Sequence, residues 1–316
     1  MLVGVPKEIK NHEYRAGLTP AGVHALTFAG HEVLVETNAD ANYLAAGARI
    51  ATNAAEVYGR AKMVVKVKEL QAAEFLFTQP GQILFAYQHF APDPDLLQHV
   101  IDSGLSCVAY ETVADAQGEL PLLAPMSGVA GRLAPQVGAQ VTLFDRGIEK
   151  IAALDRIYRG RITTCVADPL ALEHAIVDAD LVVGAVLIPG KLSPKLISRT
   201  LLRKMRPGSV IVDVGIDQGG IAETSRPTSH TNPIFVEEGI VHYCVPNMPS
   251  AVARTATLAL TQATLPYALQ LANLGLRRAI EEDTGLMEGL QVHAGKVTHA
   301  GLAEDTGRAF TPPEMY

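Results

Sequence analysis

The sequence predicts an α/β protein of two domains, in which a doubly wound domain is inserted between the two parts of a discontinuous one. Three observations carry that expectation. From Leu2 onward, short β-branched or apolar runs alternate with helix-like segments, the pattern of helices layered on mostly parallel sheet. The chain has 316 residues, 48% of them hydrophobic, more than one core normally organises. After Pro249 a long helical stretch runs to about Gly289, broken near Gly275, and its apolar face is expected to return to the first domain. Soft boundaries near Leu122 and Arg254 give a first part at 1–121, a central doubly wound domain at 122–253 and a helical last part at 254–316.

The elements follow from local chemistry. Residues 2–5 read as a strand. Thr19 and Pro20 then place a capping hydroxyl and an N1 proline ahead of a helix over 21–29, which Gly30 stops. Strands follow at 32–35, 63–67 and 82–87. A helix over 95–103 is closed by Gly104 before a strand at 106–111. In the more regular second half, strands are expected at 141–144, 162–166, 180–186 and 209–214, with helices between them. Asp168 and Pro169 cap one of these helices; Ser193 and Pro194 are expected to cap the next, which runs on through 201–205.

Composition removes several functional classes. Lys and Arg total 26 against 33 Asp and Glu, a formal charge of −7 with no basic stripe, so nucleic acid is not an expected partner. Cys107, Cys165 and Cys244 are far apart and form no C-x-x-C, which argues against a disulfide framework or a zinc knuckle and fits a reducing cytoplasm. The apolar start is interrupted by Lys7 and Glu8, too early for a signal peptide. The longest apolar run, 181–188, falls well short of the ~20 residues that span a bilayer, so no membrane partner is expected.

The charged segment Pro6-Lys7-Glu8-Ile9-Lys10-Asn11-His12-Glu13-Tyr14-Arg15 lies between a strand and a helix. A solvated loop explains it, but Arg15 also offers a planar fork for a carboxylate at a strand end, where open α/β sheets bind ligands. Lys66, Lys68 and Glu69 end one strand and His89 follows another, so both strands can present groups to one cleft. A single histidine is often structural; near neutrality it can also move protons. Asp213 and Asp217 flank the end of the strand 209–214, and one of them is expected to be a cap or turn residue. Gly184 to Lys191 has one residue too many between its glycines for a P-loop and no Ser or Thr after the lysine. Gly128-Val-Ala-Gly131 lies in an expected helix and does not follow a strand. Neither H-E-x-x-H nor G-x-S-x-G is present, and no metal site is expected.

Taken together, the ordered segments resemble the alanine dehydrogenase and transhydrogenase family from end to end. They are Gly4-Val-Pro-Lys-Glu8 to Arg15 with Thr19-Pro20; Lys66-Val-Lys-Glu69; Tyr110-Glu111-Thr112; Leu123-Ala-Pro-Met-Ser127 with Ala130-Gly-Arg-Leu133; Gly184-Ala-Val-Leu187; Asp213 with Ile216-Asp-Gln-Gly-Gly220; Ser225-Arg-Pro-Thr228; and Tyr243-Cys-Val245 with Asn247-Met-Pro249. The resemblance implies a discontinuous substrate domain, a Rossmann-like domain, and NAD-dependent oxidative deamination of L-alanine to pyruvate and ammonia by a homohexamer. It implies that Arg15 and Lys68 bind the substrate and that His89 and Asp217 are catalytic. Cofactor contacts carry over to Ser127, Asp145 on the adenosine ribose, Lys150, Val186, Leu187, Val214, Gly215, Ile216, Asp217, Val245, Pro246, Asn247 and Met248.

One departure is large. In the family a strand, a glycine-rich turn and a helix stand between the segment at Arg132-Leu133 and the strand ending in Asp145. Here Gln136-Val-Gly-Ala139 runs directly into Gln140. A βαβ unit takes ~30 residues or more, so the Rossmann-like domain is read as truncated by that unit. Smaller departures are Leu70 after Lys-Glu, Gly128 in place of an acid, and Ala167 in place of a serine. The alternative to an active enzyme is a non-catalytic subunit or small-molecule-binding remnant. A third reading, a relative of the transhydrogenase NAD-binding subunit, leaves Lys68, His89 and Asp217 without a purpose.

Overall fold

The computed structural model describes residues 1–36, 41–126, 140–186, 188 and 191–313. The chain divides into two compact units, one from Met1–Ala130, Leu187–Leu192 and Asn247–Tyr316, the other from Gly131–Val186 and Ser193–Pro246.

The first unit is built on one eight-stranded sheet. Its strands are β1 (Leu2–Val5), β2 (Glu32–Glu36), β3 (Arg49–Ala51), β4 (Met63–Val65), β5 (Ile83–Ala86) and β6 (Ser106–Ala109), with β13 (Leu290–His293) and β14 (Lys296–Val297) from the far end of the chain; the spatial order is β14-β13-β6-β5-β4-β1-β2-β3. β1 to β6 pair in parallel and β13 joins antiparallel to β6. Every residue of β4, β5 and β6 is buried, which is why these runs lack polar alternation: parallel strands are covered on both faces. Side-chain alternation sorts them. Met63, Val65 and Phe85 enter one core with Val3, Val5, Val33 and Val35, while Val64, Leu84 and Cys107 enter another with Tyr58, Leu97 and Val100.

Helix α1 (Pro20–Phe28) begins as expected, with the Thr19 hydroxyl accepting from the Gly22 backbone N–H. Helices α2 (Ala41–Ala45), α3 (Ala54–Arg60) and α4 (Pro94–Ser103) follow in the same unit. The long C-terminal helix, Ala253–Glu282, loses helical geometry at Gly275, as its glycine suggested. Its Ala256, Leu260, Ala268 and Leu271 pack into the first core, which returns the chain end to the N-terminal unit.

The second unit contains two separate sheets. β7 (Thr142–Asp145), α5 (Ile148–Tyr158) and β8 (Thr163–Val166) make a parallel pair with its crossover helix. β9 (Leu181–Gly184), β10 (Val210–Asp213), β11 (Ile234–Glu237) and β12 (Ile240–Tyr243) form a sheet in the order β11-β12-β10-β9, with α6 (Pro169–Asp178) between β8 and β9. β8-β7 and β9-β10-β12 are the 3-2 and 4-5-6 portions of a doubly wound order. Among the described residues no strand joins β7 to β9. The four-stranded sheet has a core of Ile176, Ile197, Leu202, Ile211 and Ile240, whereas no residue of β7, α5 or β8 is buried.

Several expectations shift. The helix expected from Ser193 instead begins at its N-cap Ser198 and covers only Arg199–Leu202 (α7), because Ser193 is drawn to Gln218 by its backbone N–H and to the Val186 carbonyl by its hydroxyl. The unit boundaries fall at 130/131 and 246/247. Leu122 and Met126 pack in the first core and Asn247 leads into the turn Met248–Val252, so both segments belong with the first unit. The strands at β11–β12 and β13–β14 were not anticipated. Each hairpin closes through a two-residue turn with both φ positive, Glu238-Gly239 and Ala294-Gly295, in which only the second residue carries the expected turn chemistry. The C-terminal helices are numbered α8 (Ala253–Glu282), α9 (Thr284–Gly289) and α10 (Ala300–Thr306).

Candidate active site

The N-terminal charged loop is folded inward. Arg15 and Glu13 are buried and form a two-pronged pair, Arg15 Nε to Glu13 Oε1 at 2.8 Å and Nη2 to Oε2 at 2.6 Å. Asn247 closes the cluster: it donates from Nδ2 to Glu13 Oε2 at 2.5 Å and accepts from Arg15 Nη2. Burial alone would raise the Glu13 carboxyl, but hydrogen bonds and charge from Arg15 outweigh it and hold it below its ordinary value. The fork of Arg15 is therefore held by an internal carboxylate, and among the described residues Nη1 meets the soft sulfur of Met126 at 3.1 Å. An arriving carboxylate has that nitrogen to address.

Lys66 and Lys68 part company where β4 ends at Val65. Lys66 is wholly buried and donates to both Glu74 oxygens at 2.5 and 2.6 Å, with Tyr58 sharing Glu74 Oε1 at 2.9 Å and Glu8 Oε2 lying 3.8 Å away. Glu8 also accepts the Val67 N–H at 2.6 Å, yet burial pushes its carboxyl up to about 7 against the attraction of Lys66. This cluster is structural. Lys68 instead places Nζ 3.3 Å from His89 Nε2. The neighbouring Glu69 carboxyl is opposed by burial but drawn down to about 2 by Lys68, Lys10 and His89, and it pairs with Lys10.

His89 follows β5 in a left-handed backbone conformation, φ +47°. The Tyr87 ring lies parallel to it, 7° between planes and 5.9 Å between centroids, and the Tyr87 hydroxyl is anchored on the Leu122 carbonyl at 2.7 Å. Glu111, from the 3₁₀ turn after β6, accepts the Gln88 and His89 N–H groups. Thus the first unit pairs Lys68 with His89, and separately Arg15 with Glu13 and Asn247, and adds Glu111 behind His89. The carboxylates Glu13 and Glu111 were not singled out as site residues: Glu111 acts on backbone N–H groups of the distant Gln88 and His89, and Glu13 on the side chains of Arg15 and Asn247. The signal that existed was the Glu-x-Arg spacing of 13 and 15.

The second unit carries the other expected positions. Asp213, buried at the end of β10, accepts from the Ile221 N–H at 2.8 Å and the Ser225 hydroxyl at 2.5 Å, so it is the turn residue of the aspartate pair. The 3₁₀ turn Val214–Gln218 buries Gly215 and Ile216 and leaves Val214 and Asp217 half-buried. Val186 lies beyond β9, its carbonyl held by Ser193, and Val245 is buried beside Pro246. Asp145 ends β7 and receives the Gly147 N–H at 2.7 Å; Lys150 is exposed on α5. Ser127 and Leu187 lie outside the described residues, as do Gly128–Gly131 and Gly190.

For a dinucleotide the fit is uneven. Asp145 has the placement of a ribose-binding acid at a strand end, and the turn after β10 offers a second strand-end platform. Among the described residues no glycine-rich turn links a strand to a helix N-terminus in the way that holds a pyrophosphate. Among the described residues, the chemistry matches the two ends of a dinucleotide and not its middle.

Two family models cover the chain: residues 4–130 match the "Alanine dehydrogenase/PNT, N-terminal domain" and residues 127–300 the corresponding C-terminal domain. An alanine dehydrogenase of Halomonas elongata is 44% identical over 363 aligned positions, covering 98% of each chain, and one of Bacillus subtilis is 41% identical, covering 99% of this chain and 97% of its own. With the first, 363 positions take in roughly 310 residues of this chain, so about fifty have no counterpart here. A solved L-alanine dehydrogenase superposes with a TM-score of 0.84 at 40% identity, covering 97% of this chain and 99% of its own. A transhydrogenase from Sinorhizobium meliloti, 20% identical, shares the fold with a TM-score of 0.70.

Proposed function

Since the chain belongs to the alanine dehydrogenase/PNT family, we propose that it acts on the alanine–pyruvate pair by NAD-linked oxidative deamination, with Arg15 and Lys68 binding substrate and His89 and Asp217 moving protons. The observation that carries this reading is the Lys68–His89 contact at 3.3 Å, in the same unit as the buried Arg15–Glu13 pair. A small 2-oxo or 2-amino acid needs an anchor for its carboxylate and a charge on its carbonyl or carbinolamine oxygen. Arg15 Nη1 and Lys68 Nζ supply these. The dinucleotide, when bound, provides a hydride acceptor for the alanine α-carbon. His89 exchanges a proton with the oxygen of the carbinolamine, and Asp217 orients or deprotonates the water that attacks the iminium. Asp145 and Lys150, Val186 and Leu187, the turn at Val214 to Asp217, and Val245 to Met248 with Ser127 are the cofactor contacts in this reading. A homohexamer in the cytoplasm is the assembly and compartment that it entails.

The second reading, a subunit that binds pyruvate or alanine without turnover, is favoured by the separation of β7–β8 from β9–β12. Calorimetric titration with pyruvate and with NADH, run separately, distinguishes the two. Pyruvate binding that vanishes in Arg15→Ala and Lys68→Ala supports the substrate assignment; unchanged affinity in both variants removes it. NADH binding, followed by NADH oxidation with pyruvate and ammonium, supports turnover. Pyruvate binding without NADH binding establishes the second reading.

A further inference from the structure

We infer that Glu111 is a positioning residue for His89, and that with Lys68 it fixes the neutral ring as the tautomer protonated on Nδ1, leaving the Nε2 lone pair toward Lys68 and the substrate. This rests on the assignment of His89 as the proton-moving group.

The argument starts with the backbone. His89 occupies the left-handed region at φ +47°, which a residue with a Cβ adopts only when its surroundings enforce it. What enforces it is a carboxylate. Glu111 is buried, its Oε1 accepts His89 N–H at 2.8 Å and Gln88 N–H at 3.1 Å, and its Oε2 lies 3.2 Å from the same Gln88 nitrogen. Two successive amides converging on one anion form the same concave donor arrangement that binds free anions elsewhere, filled here by the protein's own side chain.

Two unlike groups face the ring nitrogens. At Nε2 stands Lys68 Nζ, 3.3 Å away, and a lysine ammonium carries donors and no acceptor. A nitrogen facing it must offer its lone pair, so the ring proton of the neutral form sits on Nδ1. That nitrogen lies 4.0 Å from Glu111 Oε1, too far for a hydrogen bond but near enough for a carboxylate to favour the positive end of an N–H dipole. The parallel Tyr87 ring, tied by its hydroxyl to Leu122, restricts rotation that would exchange the two nitrogens. Donor on one side, acceptor on the other and a flat ring against its face define one orientation and one tautomer. The chemical consequence is that Nε2 is ready to receive a proton from the oxygen that Lys68 also addresses, without a prior tautomer change.

The test is nitrogen NMR on protein labelled with ¹⁵N in the histidine rings, with the His89 signals assigned from His89→Asn, at a pH where the ring is neutral. The expected spectrum has a pyrrole-type Nδ1 and a pyridine-type Nε2, the Nδ1–H form in excess by at least about tenfold (~1.4 kcal/mol). Glu111→Gln keeps an amide oxygen for the two N–H groups, so the variant should fold, yet the excess should fall several-fold toward the mixture of a free imidazole. A pyrrole-type Nε2 in the unaltered protein overturns the inference, and so does a Glu111→Gln spectrum identical to it, which would leave Glu111 as a loop cap only. Because the readout needs no turnover, a fully active His89→Asn variant would remove the catalytic assignment while leaving the tautomer result standing.

Discussion

The two units of this chain are made of the same elements and reach different degrees of closure. In the first, six parallel strands run without interruption from β3 to β6, and a pair from the chain's far end extends the sheet. Both faces are covered, so even a lysine can be placed at 0% exposure because two carboxylates and a hydroxyl surround it. In the second, the described strands form two separate sheets. Leu181 and Val183 on β9 are 47% and 39% exposed, Val166 on β8 50%, and Ile157 on α5 63%. Apolar residues on such strands are normally covered, and the strand and helix that the family resemblance places between Leu133 and Asp145 are the expected cover. The residues proposed to bind substrate lie in the closed unit, while Asp145, proposed to bind the ribose, sits on the piece with no buried residue.

That contrast predicts a graded set of responses. The largest is expected at Lys66. Lys66→Ala strands Glu74 as a buried carboxylate without its cation, an effect of about 3–5 kcal/mol, to be read from denaturant unfolding of the first unit; a loss under 1 kcal/mol would mean the pair is not closed to water. Next comes repair of the open unit. Inserting a strand, a G-x-G-x-x-G-type turn and a helix between Ala139 and Gln140 should tighten NADH binding at least about a hundredfold, because each restored charge-assisted hydrogen bond is worth roughly 1.5–3 kcal/mol. The same graft should raise the unfolding temperature of the second unit. Micromolar NADH affinity and an identical unfolding temperature without the graft would break the comparison.

Acid–base behaviour sharpens it further. Burial raises Glu8 from 4.5 to about 7, so between those values the folded protein retains a proton that the unfolded chain releases. Stability from this group is present at lower pH and is lost as pH rises through about 7, with a slope near 1.4 kcal/mol per pH unit. Glu8→Gln should flatten that part of the stability–pH curve in calorimetric scans; an unchanged slope would assign it to another group. The smallest effect is expected in the open unit. Ile157→Ala should change stability by less than about 0.5 kcal/mol, as for a surface residue, until the graft is in place, after which the same substitution should cost measurably more.

Much of this was readable in advance where chemistry is local. Thr19 with Pro20 and Asp168 with Pro169 each start a helix at the place their hydroxyl or carboxylate dictates, since a cap and its target amides lie within three residues. The Ser193-Pro194 pair has the same spelling and starts nothing, because a carbonyl 25 residues away, that of Gln218, takes the Ser193 amide. Arg15, Lys68 and His89 were singled out through family resemblance; the carboxylates that hold Arg15 and the His89 loop, Glu13 and Glu111, were not.

The sequence by itself determined the α/β class, the return of the C-terminal helix and the shortage of residues between Arg132 and Asp145, for all of these are matters of pattern and count along the chain. Only the tertiary structure decided that Lys66 is buried and Lys68 meets His89, that Arg15 is already clasped by Glu13 and Asn247, and that Glu111 holds the His89 loop from 22 residues away. Those outcomes depend on which side of a strand end the chain bends toward and which distant carboxylate fills the space. A spacing of residue types fixes neither.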